Sequence, residues 1–153
     1  MSFVGVLPAM KSVFGLFCED IRSVSGLYDN LLECMATCHS LTVINGRLMG
    51  DNQDLQIFNS TGWSYEISSE IKGIVKENRE GITSMGDVSL VEMRHELGII
   101  HIFYFTSSLK RMGVIVKDMN HEKLFFYIKG APEVILNRCT AQSLPMDLSL
   151  IHI

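Results

Sequence analysis

Three stretches of the sequence combine charge, glycine and aromatic character in a way that suits ligand binding. The first is Gly50-Asp51-Asn52-Gln53-Asp54-Leu55, which sets two carboxylates three positions apart where a helix could begin. The second runs from Phe105 to Met112 and carries an aromatic at a strand end, followed by the paired cations Lys110 and Arg111. The third is Lys129-Gly130-Ala131-Pro132-Glu133, in which a lysine closes an apolar run just before a proline able to start a helix. Lysine is costly to bury without an anionic or polar partner, so a cation at such a junction points to a ligand. An aromatic face, two or three cations and a glycine permitting close backbone approach match a nucleotide. Its base would stack on the ring, with the cations near its polar edge and phosphates.

Each feature also has a plainer explanation. A phenylalanine ending an apolar strand is ordinarily core. Lys110-Arg111 reads as a solvated turn, and Asp51 and Asp54 as a helix cap and a first-turn charge. Lys129 is the hardest to explain away, because a solvated lysine needs no Gly-Ala-Pro behind it. A metal site at Cys34, Cys38 and His39 is not expected. Adjacent positions 38 and 39 point about 100° apart on a helix, and no second ligand pair has zinc-type spacing. No Gly-x4-Gly-Lys-Ser/Thr loop and no strand-elbow serine is present. From the residues alone this is a binding site without a reaction centre.

The elements that must hold these residues can be read from pattern. Leu31, Leu32, Met35, Ala36 and Cys38 follow Asp29-Asn30 at helical spacing, predicting a helix over about 29–40. Leu41 to Ile44 and Arg47 to Met49 flank Asn45-Gly46, the strongest two-residue hairpin signal. Asp51 is a good N-cap for a helix carrying Leu55, Ile57 and Phe58 that stops near Thr61-Gly62. Trp63 to Ile67 alternates like a strand, whereas 68–86 reads as a polar loop or short helix. Strands are expected at 3–7, 88–93, 98–105, 112–116 and 124–129, the last three joined as antiparallel hairpins. A short helix should follow Pro132. The fold class is α+β, a mainly antiparallel sheet flanked by helices, with one domain over 1–140 and an irregular tail at 141–153.

Composition sets the bounds. The chain has 153 residues, 47% hydrophobic and 20% charged, enough for a real core and too apolar for disorder. A net charge of −4 with no basic stripe argues against a nucleic-acid partner. No apolar run approaches the ~20 residues needed to cross a bilayer, and the N-terminus lacks a signal-peptide pattern, so the chain reads as soluble. The four cysteines are expected as reduced thiols in a cytoplasmic setting.

Taken in order, these stretches resemble a known family. Cys34-Met35-Ala36-Thr37-Cys38-His39-Ser40-Leu41-Thr42, then Met49-Gly50-Asp51-x-x-Asp54-Leu55, then Thr61-Gly62-Trp63 look like the nucleotide-binding domain of type-V P-type ATPases. Phe105 through Lys110-Arg111-Met112 and the Lys-Gly-Ala-Pro-Glu string at 129–133 continue the match. The similarity runs from Phe3 to about Leu136 and is greatest to the subclass associated with polyamine transport from lysosomes and endosomes. Lys-Gly-Ala-Pro-Glu is common to many P-type ATPases, while the Cys-Met-Ala-Thr-Cys-His-Ser run and Thr-Gly-Trp narrow it to the class.

The resemblance implies a role for each residue. Phe105 would stack on adenine, Lys129 would line the adenine pocket, and Lys110 would lie near the phosphates. Asp54 would be the pocket carboxylate, with Asp51, Met112, Gly130 and Ala131 completing the pocket. ATP would be the ligand, with Mg²⁺ held mainly by the parent protein. Partners would be the phosphorylation and actuator domains of a membrane-spanning parent, with this domain on the cytoplasmic face of an endomembrane. The family's phosphorylated Asp-Lys-Thr-Gly-Thr string is absent, so this stretch would bind ATP and hydrolyse nothing alone. Two departures stand out: Asn52-Gln53 where the family has Pro-Leu, and Gly113 where it commonly has serine. The alternative is an α+β interaction module, or a degenerate relative, that binds no nucleotide. A Phe105 sealed in the core would favour it.

Overall fold

The computed structural model describes residues 9–10, 13–14, 19–20, 29–76 and 95–140. In chain order these form β1 (Ala9–Met10) and β2 (Val13–Phe14), an antiparallel pair in a stretch whose pattern is too mixed to predict one. Then come α1 (Asp29–Thr37), β3 (Thr42–Ile44), β4 (Arg47–Met49), α2 (Asn52–Thr61) and β5 (Ser64–Glu66). The remainder is β6 (Gly73–Lys76), β7 (Glu96–Thr106), β8 (Arg111–Asp118), β9 (Leu124–Gly130) and α3 (Pro132–Leu136). The result is an α+β fold built on antiparallel sheets, as the sequence predicts.

Strands β5 to β9 make one antiparallel sheet in sequence order, and β3–β4 form a separate hairpin. Asn45 and Gly46 both take positive φ, 51° and 74°, the primed-turn geometry that suits a right-twisted hairpin. Strand β6 corrects the polar-loop expectation for 68–86. Within its described part, residues 68–76, Gly73 to Lys76 pair, and four residues with one fully buried valine are too few to register as alternation. The strands expected at 3–7 and 88–93 lie outside the described residues. Helix α1 stops at Thr37, short of the expected 40, because Thr37 Oγ1 donates back to the Glu33 carbonyl and His39 N turns to Thr37 O.

One face of the sheet is the core face. Alternate residues Leu97, Ile99, Met112, Val114 and Val116 are buried there with Val75. Leu32 and Ala36 of α1 and Phe58 of α2 join them in one cluster with Cys38, Leu41 and Trp63. Register puts Val114 opposite Tyr127 and Met112 opposite Lys129. Lys129 therefore shares the helix-covered side with Met112, because directly paired residues point to the same face. The other face carries His101, Phe103 and Phe126 in edge-to-face contact. Gly113 sits beneath Phe126, where a Cβ would come within 2.8 Å of the ring.

Candidate functional site

Helix α2 is launched toward the sheet by Asp51. Its Oδ1 accepts from Gln53 N at 2.8 Å and Asp54 N at 3.3 Å, while Asp51 itself stays extended at φ −60°, ψ 139°. The helix ends at Gly62 in the left-handed conformation, φ 72°. Thr61 Oγ1 donates to Phe58 O and accepts from Trp63 N, so Thr61-Gly62-Trp63 acts as a helix stop. Fixing both ends of α2 sets where Asp54 points.

Asp54 is only 8% exposed and is held by two bonds. Its Oδ1 accepts from Lys129 Nζ, and its Oδ2 accepts from Ser40 N at 3.4 Å. The carboxylate thus ties the end of β9 to the connection after α1. Lys129 is the strand-end cation singled out above, and its partner is a carboxylate of the same chain. Taking a buried charge out of water costs several kcal/mol, and only a well-formed pair offsets that.

Gly130 fits this junction for a different reason from the one expected. A Cβ there would lie 2.5 Å from Lys110 O and 2.8 Å from Arg111 Cα. The close approach it allows is between β9 and the turn before β8, sealed by Ala131 N donating to Lys110 O at 2.9 Å. Lys110 is itself in the left-handed region, φ 49°, closing the turn after Thr106. Its ammonium reaches the exposed Glu133 carboxylate at 3.2 Å. Lys110 also holds Glu133 below the usual carboxylate range, second to a bond from its own backbone N–H.

These elements enclose one open cleft of about 760 Å³. Asp51, Asp54, Phe105, Lys110, Met112, Lys129, Gly130 and Ala131, the residues that the resemblance assigns to the pocket, lie on its walls, while Arg111, the second of the paired cations, is not among the lining residues. Phe105 is 58% exposed and stands free at the cleft instead of being sealed in the core. Sequence reasoning did not assign Ser40, Gln53, Ile57 or Glu133 to the site, and these also line it. Ile57 could have been found, since it lies one helical turn after Asp54 on the same side of α2. Two cations against three carboxylates leave the walls with no cationic excess, while Phe105, Ile57 and Met112 supply apolar surface. Such a cleft can hold a flat, amphipathic group and leave an attached polyanion outside.

His39 lies behind the cleft and is 1% exposed. Its Nε2 donates to Ala36 O at 2.9 Å and its Nδ1 accepts from Leu41 N at 3.2 Å, so both ring nitrogens are committed in the neutral form. Burial above all pulls its pKa down to about 4, and Lys129 adds to the fall. The ring packs edge-on against Phe58, centroids 5.3 Å apart. His39 is a core residue that braces the Ser40–Asp54 link. Tyr127 performs a similar task nearby, its hydroxyl donating to the Glu33 carboxylate of α1. Burial, then Glu33, raises its pKa.

Among the described residues no helix is long and apolar enough to cross a membrane. The family model described as "P-type ATPase, cytoplasmic domain N" matches residues 28–147. The chain is 34% identical over 149 residues to the "Polyamine-transporting ATPase 13A3" of Mus musculus, covering 87% of this chain and 12% of that protein. It is 38% identical over 140 residues to the "Probable cation-transporting ATPase catp-6" of Caenorhabditis elegans, 86% of this chain and 11% of that one. The "Vacuolar cation-transporting ATPase YPK9" of Saccharomyces cerevisiae is 32% identical over 168 residues, 88% and 11% respectively. The chain thus spans about an eighth of the length of the relatives it matches. On the family match over residues 28–147 and these identities, the chain belongs to the cytoplasmic N-domain family of the P-type ATPases.

Proposed function

We propose that this chain is the ATP-holding module of a cation- or polyamine-transporting P-type ATPase. The observation that carries this reading is the convergence of Phe105, Lys129, Asp54 and Met112, from four separate elements, on one cleft whose aromatic wall is open to solvent. Adenine stacks on Phe105 and packs against Met112. The Lys129 ammonium, fixed by Asp54, offers its remaining N–H bonds to the polar edge of the base. Lys110, at the rim, meets the phosphates after exchanging its exposed Glu133 partner for a stronger anion.

The cleft has more carboxylates than cations, so the triphosphate is directed outward, toward the phosphorylation domain of the same parent. There an aspartate takes the γ-phosphoryl group. Mg²⁺ bound with ATP would supply neutralisation of phosphate charge in that transfer, and would be held mainly by the parent's other domains. This module contributes position, which is most of what phosphoryl transfer requires of a protein. The parent spans an endomembrane with this module on its cytoplasmic face, alongside the actuator domain.

One stacked base and a few exposed contacts correspond to an affinity between about mM and tens of μM, roughly −4 to −6 kcal/mol. NMR titration of the chain with ATP and with adenosine tests this. Shifts should concentrate at Phe105, Met112, Lys129 and Gly130, and adenosine should retain most of them. Shifts scattered over the surface, or no saturation by millimolar ATP, would leave the cleft as an interaction surface instead.

A further inference from the structure

Two thiols, one on α1 and one just past its end, have no part in the nucleotide reading. Cys34 and Cys38 are one helical turn apart, and Cys38 N donates to Cys34 O at 2.8 Å, so helical geometry persists past the end of α1. Their side chains therefore share a face. The Cys38 S–H donates to the Tyr127 carbonyl oxygen at 3.9 Å, with the Cys34 thiol as its neighbour on that face. The two differ in access: Cys38 is 2% exposed, whereas Cys34 is only partly covered. They also differ in charge preference. The hydrogen bond from Cys38, helped by Lys129, lowers the Cys34 pKa, and holding that bond together with burial raises the pKa of Cys38. An accessible thiol favoured as thiolate, backed by a buried protonated one, is the arrangement of an attacking and a resolving cysteine.

We propose that Cys34 and Cys38 form a reversible dithiol–disulfide pair whose closure loosens the Asp54 wall of the cleft. The Cys34 thiolate attacks one sulfur of a disulfide oxidant such as oxidised glutathione. The old S–S bond breaks, one glutathione thiolate leaves, and a mixed disulfide remains. Cys34 sulfur can then no longer hold the Cys38 proton, which passes to the departing thiolate or to water. Cys38 attacks the Cys34 sulfur and expels the second glutathione thiolate. The dithiol gives up two electrons and the oxidant is reduced to two thiols.

Closure has a geometric consequence. Cβ atoms one helical turn apart are about 5–6 Å from each other, and a disulfide needs about 3.8 Å. The shift falls on Cys38, one residue past the end of α1, and has to break the single bond from Cys38 N to Cys34 O that continues the helix there. Two residues later Ser40 N holds Asp54 Oδ2, so pulling Cys38 toward Cys34 drags on the anchor of the Asp54–Lys129 pair. The effect on ATP rests on the proposed function; formation of the disulfide does not.

The test uses the whole chain carrying Cys18→Ser and Cys139→Ser, so that only this pair can react. After equilibration with oxidised glutathione, the intact mass should fall by two hydrogens, no free thiol should remain, and dithiothreitol should restore both. ATP should then bind several-fold more weakly to the oxidised form. Adding Cys34→Ser should abolish both the mass loss and the oxidant sensitivity. An unchanged mass, or a product that keeps a glutathione adduct, overturns the dithiol. A disulfide that leaves both the ATP affinity and the Ser40 amide shift unchanged overturns the coupling. Should the reduced protein bind no ATP, the nucleotide reading fails alone, and the mass and the Ser40 shift still decide this proposal.

Discussion

Lys129 and Asp54 are 75 positions apart in sequence and form an ion pair at the floor of the cleft, with the carboxylate also bonded to Ser40 N. The side chain of Asp54 is 11% exposed and that of Lys129 33%, so the pair is desolvated on one side and open on the other. Stability and ligand binding therefore draw on the same two groups. Asp54→Ala should destabilise the fold by about 3 kcal/mol, since it strands a half-buried ammonium and frees Ser40 N. Lys129→Met, which keeps the stem and removes the charge, should cost a similar amount. The double variant should cost clearly less than the sum of the two. Urea unfolding of all four proteins measures the coupling, and simple additivity would show the pair to be energetically idle.

Phe105 offers a stacking face without a structural duty, as its exposure at the cleft indicates. Phe105→Ala should leave the unfolding midpoint almost unchanged and weaken ATP by about 1–3 kcal/mol, a factor of roughly 5 to 160. Phe105→Tyr should bind nearly as well as the parent. Calorimetric or NMR titration gives the affinities. A large stability loss in Phe105→Ala would mean that the ring is core after all.

His39 makes the fold sensitive to acid. Its pKa is about 4 in the folded chain against 6.5 as the ordinary value, so the unfolded state binds more protons between those limits. Stability contributed by the neutral ring is complete above pH 6.5 and is lost as pH falls through about 4. The full difference amounts to about 3 kcal/mol. His39→Gln should be less stable at pH 7 yet show a flatter decline between pH 6.5 and 4. Denaturant midpoints across that range would reveal it, and parallel curves would assign the acid sensitivity elsewhere.

Two glycines should respond differently to a side chain. At Gly130 a Cβ meets backbone, Lys110 O at 2.5 Å and Arg111 Cα at 2.8 Å, which no rotamer change can relieve. Gly130→Ala should cost about 1–3 kcal/mol and displace the strand end that carries Lys129. At Gly113 the first obstacle is the Phe126 ring, 57% exposed and able to swing away. Gly113→Ser should therefore cost less than about 1 kcal/mol. Thermal melts of the two variants give the comparison.

Local chemistry explains why so much was legible beforehand. Asn45-Gly46 accepts positive φ at two successive positions, Asp51 reaches its own helix's first amides, and Pro132 needs no amide partner at a helix start. Each acts within a few residues, so each shows in a linear reading. The long strands β7, β8 and β9 were likewise evident, because eleven, eight and seven residues leave a clear apolar pattern. Strand β6 was not, since its four residues are recruited by the edge of β7 and its own glycine and lysine speak against it.

The residues of the cleft were recognisable by type and by family resemblance, but their mutual arrangement was not. Nothing local joins Asp54 to Lys129. The pairing appears only once Asp51 caps α2 and the register of β8 with β9 sets Lys129 on the helix-covered side beside Met112. Gly130 shows the same limit in reverse. Its missing side chain was visible in the sequence, but whether a ligand or the chain itself fills that space depends on which backbone crosses there. Residue type thus determined the candidates, because charge and ring chemistry belong to single side chains. Strand register and helix aim decided the partners, because distances between remote residues exist only in the folded chain.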